Sequence, residues 1–212
     1  MEPFYHVYNR SLEKMRVLND NSDYLRMIEM LSYYQRENPP LRFSLFMDAN
    51  KSHKLHRVGV NYNAGEKLVE IIAYCIMPTH LHILIKELKM RGLSVFLNKL
   101  LVSYTRYFNE KYNRKGTVWE NRTKRKLIAT DEQLLHLTRY IHLNPVTSYF
   151  VNKPEDWAPS SYREYISIVP ECEKICDYRK IVPMPSVEYK RFVENGISYQ
   201  REMAKLKNTD AV

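Results

Sequence analysis

Apolar positions along the chain switch between a period of two and a period near 3.6, predicting alternating strands and helices. Residues 4–10 (FYHVYNR) alternate and are rich in strand formers, so they read as a first strand. Asn19 to Asp23 supplies capping side chains, and Tyr24, Met27, Ile28 and Leu31 then recur at helical spacing. That helix is expected to stop before Pro39-Pro40. Residues 41–47 (LRFSLFM) read as a strand, and the polar segment 48–67 carries only weak hairpin signals. Leu68 to Met77 is a β-type apolar run; Pro78-Thr79 breaks it, and HLHILIKEL resumes as its partner strand.

Leu93, Phe96, Leu97, Leu100, Leu101, Tyr104 and Phe108 keep helical spacing, which predicts an amphipathic helix over 93–112. Residues 116–128 read as a loop and a basic strand. Thr130-Asp131 caps a helix ending at Asn144-Pro145. A short helix starts at Ser160-Ser161-Tyr162, and one further helix is expected over 186–204. The coarse order is β-α-β-β-α-β-α. It predicts an α+β, ferredoxin-like or RNA-recognition-like antiparallel sheet with helices on one face. Residues 1–168 form the expected domain and 169–212 a C-terminal helical extension.

Charge narrows the partner. The formal net charge of +9 and a pI near 9.3 suit a polyanion or a merely solvated basic surface. Seventeen tyrosines, many beside Lys or Arg, add a mixture that can stack bases while neutralising phosphates. Cys75, Cys172 and Cys176 form no disulfide framework and no second pair exists to close a zinc site, which fits a reducing cytosol. The N-terminus lacks the features of a signal peptide, and no run approaches the roughly 20 apolar residues of a membrane span, so a cytoplasmic protein is expected.

His80 and His82 lie two apart on a strand, so both imidazoles project from one face as half of a divalent-cation site, or as an exposed pair. Tyr140 and Asn144 share one helix face. The phenol is a possible nucleophile and the amide oxygen a possible ligand; the plain alternative is a half-buried tyrosine and a helix-ending asparagine. Arg122, Lys124, Arg125 and Lys126, near Trp119, either track a phosphate backbone or blunt a sheet edge. His136-Leu-Thr138 matches one half of a two-histidine phosphoesterase, but on a helix its two polar residues do not share a face.

The stretches YHVYNR at 5–10, AYCIMPTHLHILI at 73–85, LVSYTRYFN at 101–109, RYIHLNPV at 139–146 and SSYREY at 160–165 together resemble the REP-associated tyrosine transposase-like branch of the single-tyrosine HUH transposases. EYKRFVENGI at 188–197 resembles the tail of its longer members. The resemblance implies that His80 and His82 are the motif histidines, Tyr140 the nucleophile, and Asn144 the third metal ligand. Magnesium or manganese is the implied ion, and single-stranded or hairpin DNA the implied partner of a monomer or homodimer. The activity implied is single-strand cleavage and rejoining through a 5′-phosphotyrosine link. A domesticated, non-cleaving binder of structured DNA or RNA is the alternative. Arg10, Lys99, Arg106, Lys111, Trp119, Arg122, Lys124 and Arg125 are the expected nucleic-acid contacts. The chain departs from the family pattern at Thr79 (usually Asn), at Ser11 (commonly Gly) and over Glu120 to Thr123.

Overall fold

The computed structural model describes residues 2–39, 41–51 and 65–209. Four strands form one sheet: β1 (Phe4–Arg10), β2 (Val69–Met77), β3 (His80–Glu87) and β4 (Lys124–Ile128). Their order is β2-β3-β1-β4 and every pair is antiparallel. This is the split arrangement expected of the α+β, ferredoxin-like class. β1 is central because Val7, fully buried, alternates with His6 and Tyr8 on the opposite face. Its register sets Tyr8 against His82 and Arg10 against His80.

Helices α1 (Asn21–Tyr33), α2 (Phe43–Lys51) and α3 (Gly92–Lys111) lie on one face, over Val7, Leu81, Ile83 and Ile85. Asp20 caps α1 by accepting from the Ser22 and Asp23 amides. α3 starts against the sheet at Gly92, where a Cβ would lie 2.5 Å from the Leu68 carbonyl oxygen, so only glycine fits. On the other face, α4 (Asp131–Thr147), α5 (Tyr162–Tyr165) and α6 (Ser186–Glu194) enclose a second core with Ile72, Ala73, Cys75, Met77 and Leu84. The expected helical layer is therefore joined by a second one. A bulge between Ile71 and Ala73 resets the alternation of β2, which is buried on both sides. Tyr178, Val182, Tyr189 and Val193, from the C-terminal extension, are buried in this second core.

Three element expectations are corrected. Residues 41–47 are not a strand, because α2 begins at Phe43. Helical spacing puts Phe43 and Phe46 together against Tyr33, with ring centroids 5.3 and 4.6 Å away, whereas a strand would send the two phenylalanines to opposite faces. α4 does not stop at Asn144-Pro145 but runs to Thr147, because Pro145 forfeits only one backbone hydrogen bond near the helix end. The helix expected over 186–204 is two, α6 and α7 (Ile197–Thr209). The break falls at Asn195-Gly196, where a Cβ on Gly196 would meet the Arg139 side chain at 2.7 Å. Most of the 48–67 segment lies outside the described residues.

Candidate active site

The β2–β3 turn aims the histidines. Pro78-Thr79 links Met77 to its pair His80, and the chain from Ser11 to Val17 holds this turn from below. The Ser11 amide donates to the Thr79 carbonyl at 2.8 Å and the Val17 amide to the Pro78 carbonyl at 2.9 Å. His80 and His82 then project from one face, with ring centroids 5.2 Å apart and planes at 89°. Each has its Nδ1 engaged: His80 by the Thr79 hydroxyl at 3.1 Å, and His82 by His6 Nε2 at 3.0 Å.

α4 brings the second pair. Thr130 caps it by accepting from the Gln133 amide, while Gln133 accepts from the Ala129 amide. Leu134, Thr138, Ile141 and His142 turn inward, leaving Tyr140 and Asn144 on the stripe above the histidines. The Tyr140 ring lies 5.5 Å from that of His82, perpendicular to it, and 5.9 Å from His6. The Asn144 amide donates to the Tyr140 carbonyl at 3.0 Å, and its side chain shares the groove with the His80 ring and the Tyr140 hydroxyl. These residues floor a groove of about 1200 Å³, with α7 as its far wall.

Burial sets the protonation states. It pushes His80 down to about 4, helped by the Arg10 guanidinium and opposed by the Asn144 side chain. Burial also pushes His6 down to about 4, with the Lys126 charge adding to it, and holds His82 well below the ordinary imidazole range. All three rings are neutral at pH 7, the form that coordinates metal. Burial raises the Tyr140 phenol, against the Asn144 side chain and Arg10, so the resting group is protonated. Among the described residues no three or more His, Cys, Asp or Glu side chains are placed to hold one ion. The donor set on offer is therefore two neutral imidazoles and one amide oxygen. That mixed nitrogen and oxygen set can hold a divalent ion that keeps water or phosphate in its remaining positions.

Residues 41–144 match the model of the family described as Transposase IS200 like. Within residues 41–144, just under half of its length, the chain resembles the IS200-like transposases. The match closes on Asn144, so it includes both β3 histidines and Tyr140. A Haemophilus influenzae protein described as a REP-associated tyrosine transposase is 30% identical over 115 residues, or 48% of this chain and 65% of the relative's length. The fold is also that of a solved REP-associated tyrosine transposase bound to a REP hairpin. That likeness has a TM-score of 0.51 at 16% identity and covers 80% of this chain and 82% of the other.

The expected nucleic-acid contacts divide by strand alternation. Arg10 and Lys124 share the histidine face, Lys124 with its ammonium 5.9 Å from the centre of the Tyr8 ring. Arg125 is opposite Val7 and reaches Ser94 on α3 at 3.0 Å. Arg122, Lys124 and Arg125 line an open groove along the β4 edge. Lys99 and Arg106 stand on α3, across the sheet from the histidines. Two expectations are corrected. Lys111 is already neutralised by Asp20 and Asp23, both at 2.7 Å. Trp119 is buried against Tyr104 and offers no stacking face. His136 borders the main groove while Thr138 is fully buried, so the H-x-T pattern forms no site. Sequence reading missed His6 and Tyr8 on the histidine face, and Arg139, Tyr149, Tyr199 and Arg201 on the groove walls. The first two could have been found, because His6, Tyr8 and Arg10 are alternate residues of one strand.

Proposed function

We propose that the chain processes single-stranded DNA as a transposase-type enzyme, with Tyr140 as nucleophile at hairpin-flanked sites. The observation that carries this reading is the meeting of Tyr140 with His80, His82 and Asn144 in one open groove. The hydroxyl oxygen of Tyr140 attacks the scissile phosphorus in line, and the bond from phosphorus to the 3′-oxygen breaks. The phenol proton is lost and the leaving 3′-oxygen gains one, giving a 5′-phosphotyrosine link and a free 3′-hydroxyl. A second 3′-hydroxyl reverses the step, and the covalent link conserves the bond energy needed for rejoining. His80, His82 and the Asn144 oxygen would hold a magnesium or manganese ion, which would supply charge that polarises the phosphate. Arg10, exposed at the end of β1 with no carboxylate partner among the described residues, holds the phosphate backbone at the groove mouth.

The test is a covalent-adduct assay with Mn²⁺ and single-stranded oligonucleotides carrying inverted repeats from DNA beside the gene. Wild type is expected to form a denaturant-resistant protein–DNA adduct, and Tyr140→Phe to bind without forming one. Cleavage that survives Tyr140→Phe would instead identify a water-using phosphodiesterase. No wild-type cleavage would identify a non-cleaving binder.

A further inference from the structure

Two ring nitrogens 3.0 Å apart, His6 Nε2 and His82 Nδ1, form one hydrogen bond, so one must carry a proton and the other a lone pair. Neutral imidazole has one N–H. If His6 donates, the proton of His82 sits on Nε2, its only remaining ring nitrogen, and His82 cannot coordinate an ion. If His82 donates from Nδ1, its Nε2 carries the lone pair. We propose that His6 is a positioning residue: it accepts from His82 Nδ1–H and so holds His82 in the tautomer that presents Nε2 to a divalent ion. This rests on the metal-dependent reading above.

The surroundings support that assignment. Metal-binding histidines commonly donate their second ring N–H to a fixed acceptor. His80 has such a partner in the Thr79 hydroxyl, also at Nδ1. Among the described residues His82 has no carboxylate or carbonyl acceptor, and His6 fills that place from the neighbouring strand. His6 is itself held: its ring lies 5.2 Å from that of His82, 5.1 Å from Tyr8 and 5.9 Å from Tyr140.

Two readouts on the full chain test this without using activity. The first is ring-nitrogen NMR on metal-free protein, where His82 is expected as the Nδ1–H tautomer in wild type. The second is Mn²⁺ titration by calorimetry. His6→Leu, with its fold checked by circular dichroism, should bind Mn²⁺ about 10–100-fold more weakly, the usual cost of losing a supporting partner. His6→Gln, whose amide oxygen reaches as far as ring Nε2, should stay within about threefold of wild type on the same argument. An Nε2–H tautomer for His82 in wild type overturns the proposal, as does unchanged affinity in His6→Leu. Pulsed electron paramagnetic resonance that counts three imidazoles on the bound Mn²⁺ would make His6 a ligand instead, and also overturns it. If wild type binds no Mn²⁺, the metal-dependent reading itself fails, and the titration separates that result from the others.

Discussion

The ring of His142 is clamped between Ser161, whose hydroxyl lies 2.7 Å from Nε2, and Tyr189, whose hydroxyl lies 2.7 Å from Nδ1. Ser161 in turn accepts from the Tyr74 amide of β2 at 2.9 Å. Burial pushes this imidazole down to about 3, so it stays a neutral donor-and-acceptor link between α4, α6 and the sheet. His142 lies between Tyr140 and Asn144 in sequence but faces inward. The knot therefore fixes the rotation of α4, and with it the aim of the outward pair.

His142→Ala should cost about 3 kcal/mol, combining an unpartnered Tyr189 hydroxyl with a partly collapsed cavity. The expected signature is a lower urea midpoint at unchanged slope. Phosphotyrosine formation should fall further than stability explains, because α4 can then rotate. A loss below about 1 kcal/mol would mean that the apolar residues of α4 hold it alone.

His80→Ala and His82→Ala should each weaken Mn²⁺ binding more than about 100-fold, beyond the loss expected at a supporting position. Neither should change the fold, since both side chains stand on the groove floor. Calorimetric titration reads the binding and circular dichroism the fold. Affinity that survives both single substitutions would move the ion elsewhere.

Much of this site was legible because it depends on local periods. The i, i+2 spacing of His80 and His82 puts both on one strand face, and the i, i+4 spacing of Tyr140 and Asn144 puts both on one helix face. Their meeting was implied by the resemblance and is now seen in the packing of α4 beside β3. What local spacing could not reveal was set by long-range pairing. Trp119 reads as a nucleic-acid contact from its place beside the basic run but is buried against Tyr104, and Lys111 reads as another but has Asp20 and Asp23 beside it. The second helical layer was hidden for the same reason. β2 is apolar on both faces, and an unbroken apolar run does not say what covers each side.

Asp23 should dominate the acid limb of stability. Its carboxylate is fully buried and accepts from the Lys111 ammonium, the Tyr107 and Tyr112 hydroxyls and the Asn19 amide. Burial alone pushes the group up, but these donors outweigh it and hold it below the usual carboxylate value of 3.8. Because the folded group titrates lower than the unfolded one, its stabilisation is present above that value and is lost as pH falls below it. Asp23→Asn should cost about 2 kcal/mol at pH 7, the scale of a hydrogen bond to a charged group. The variant should also lose less stability than wild type on acidification. Urea unfolding at neutral and acid pH reads both, and parallel curves for the two proteins would assign the acid limb to other carboxylates.

Strand alternation gives the sharpest test of where DNA runs. Lys124 and Lys126 lie opposite Tyr8 and His6, on the histidine face, and no carboxylate among the described residues pairs with them. Lys99 and Arg106 carry equal charge but stand on α3, across the sheet. If a single strand crosses the histidine face, replacing Lys124 and Lys126 by alanine removes about two phosphate contacts. The slope of log affinity against log salt should then flatten by about 1.4, at roughly 0.7 per contact for a single strand. Replacing Lys99 and Arg106 changes net charge by the same amount and should leave the slope almost unaltered. Tail cations make a poor control here, because Arg201 and Lys205 border the groove itself. Equal flattening in the two double variants would mean a diffuse charge effect. Flattening only in the α3 variant would put the DNA on the opposite face, too far from Tyr140 for the phosphate to be attacked.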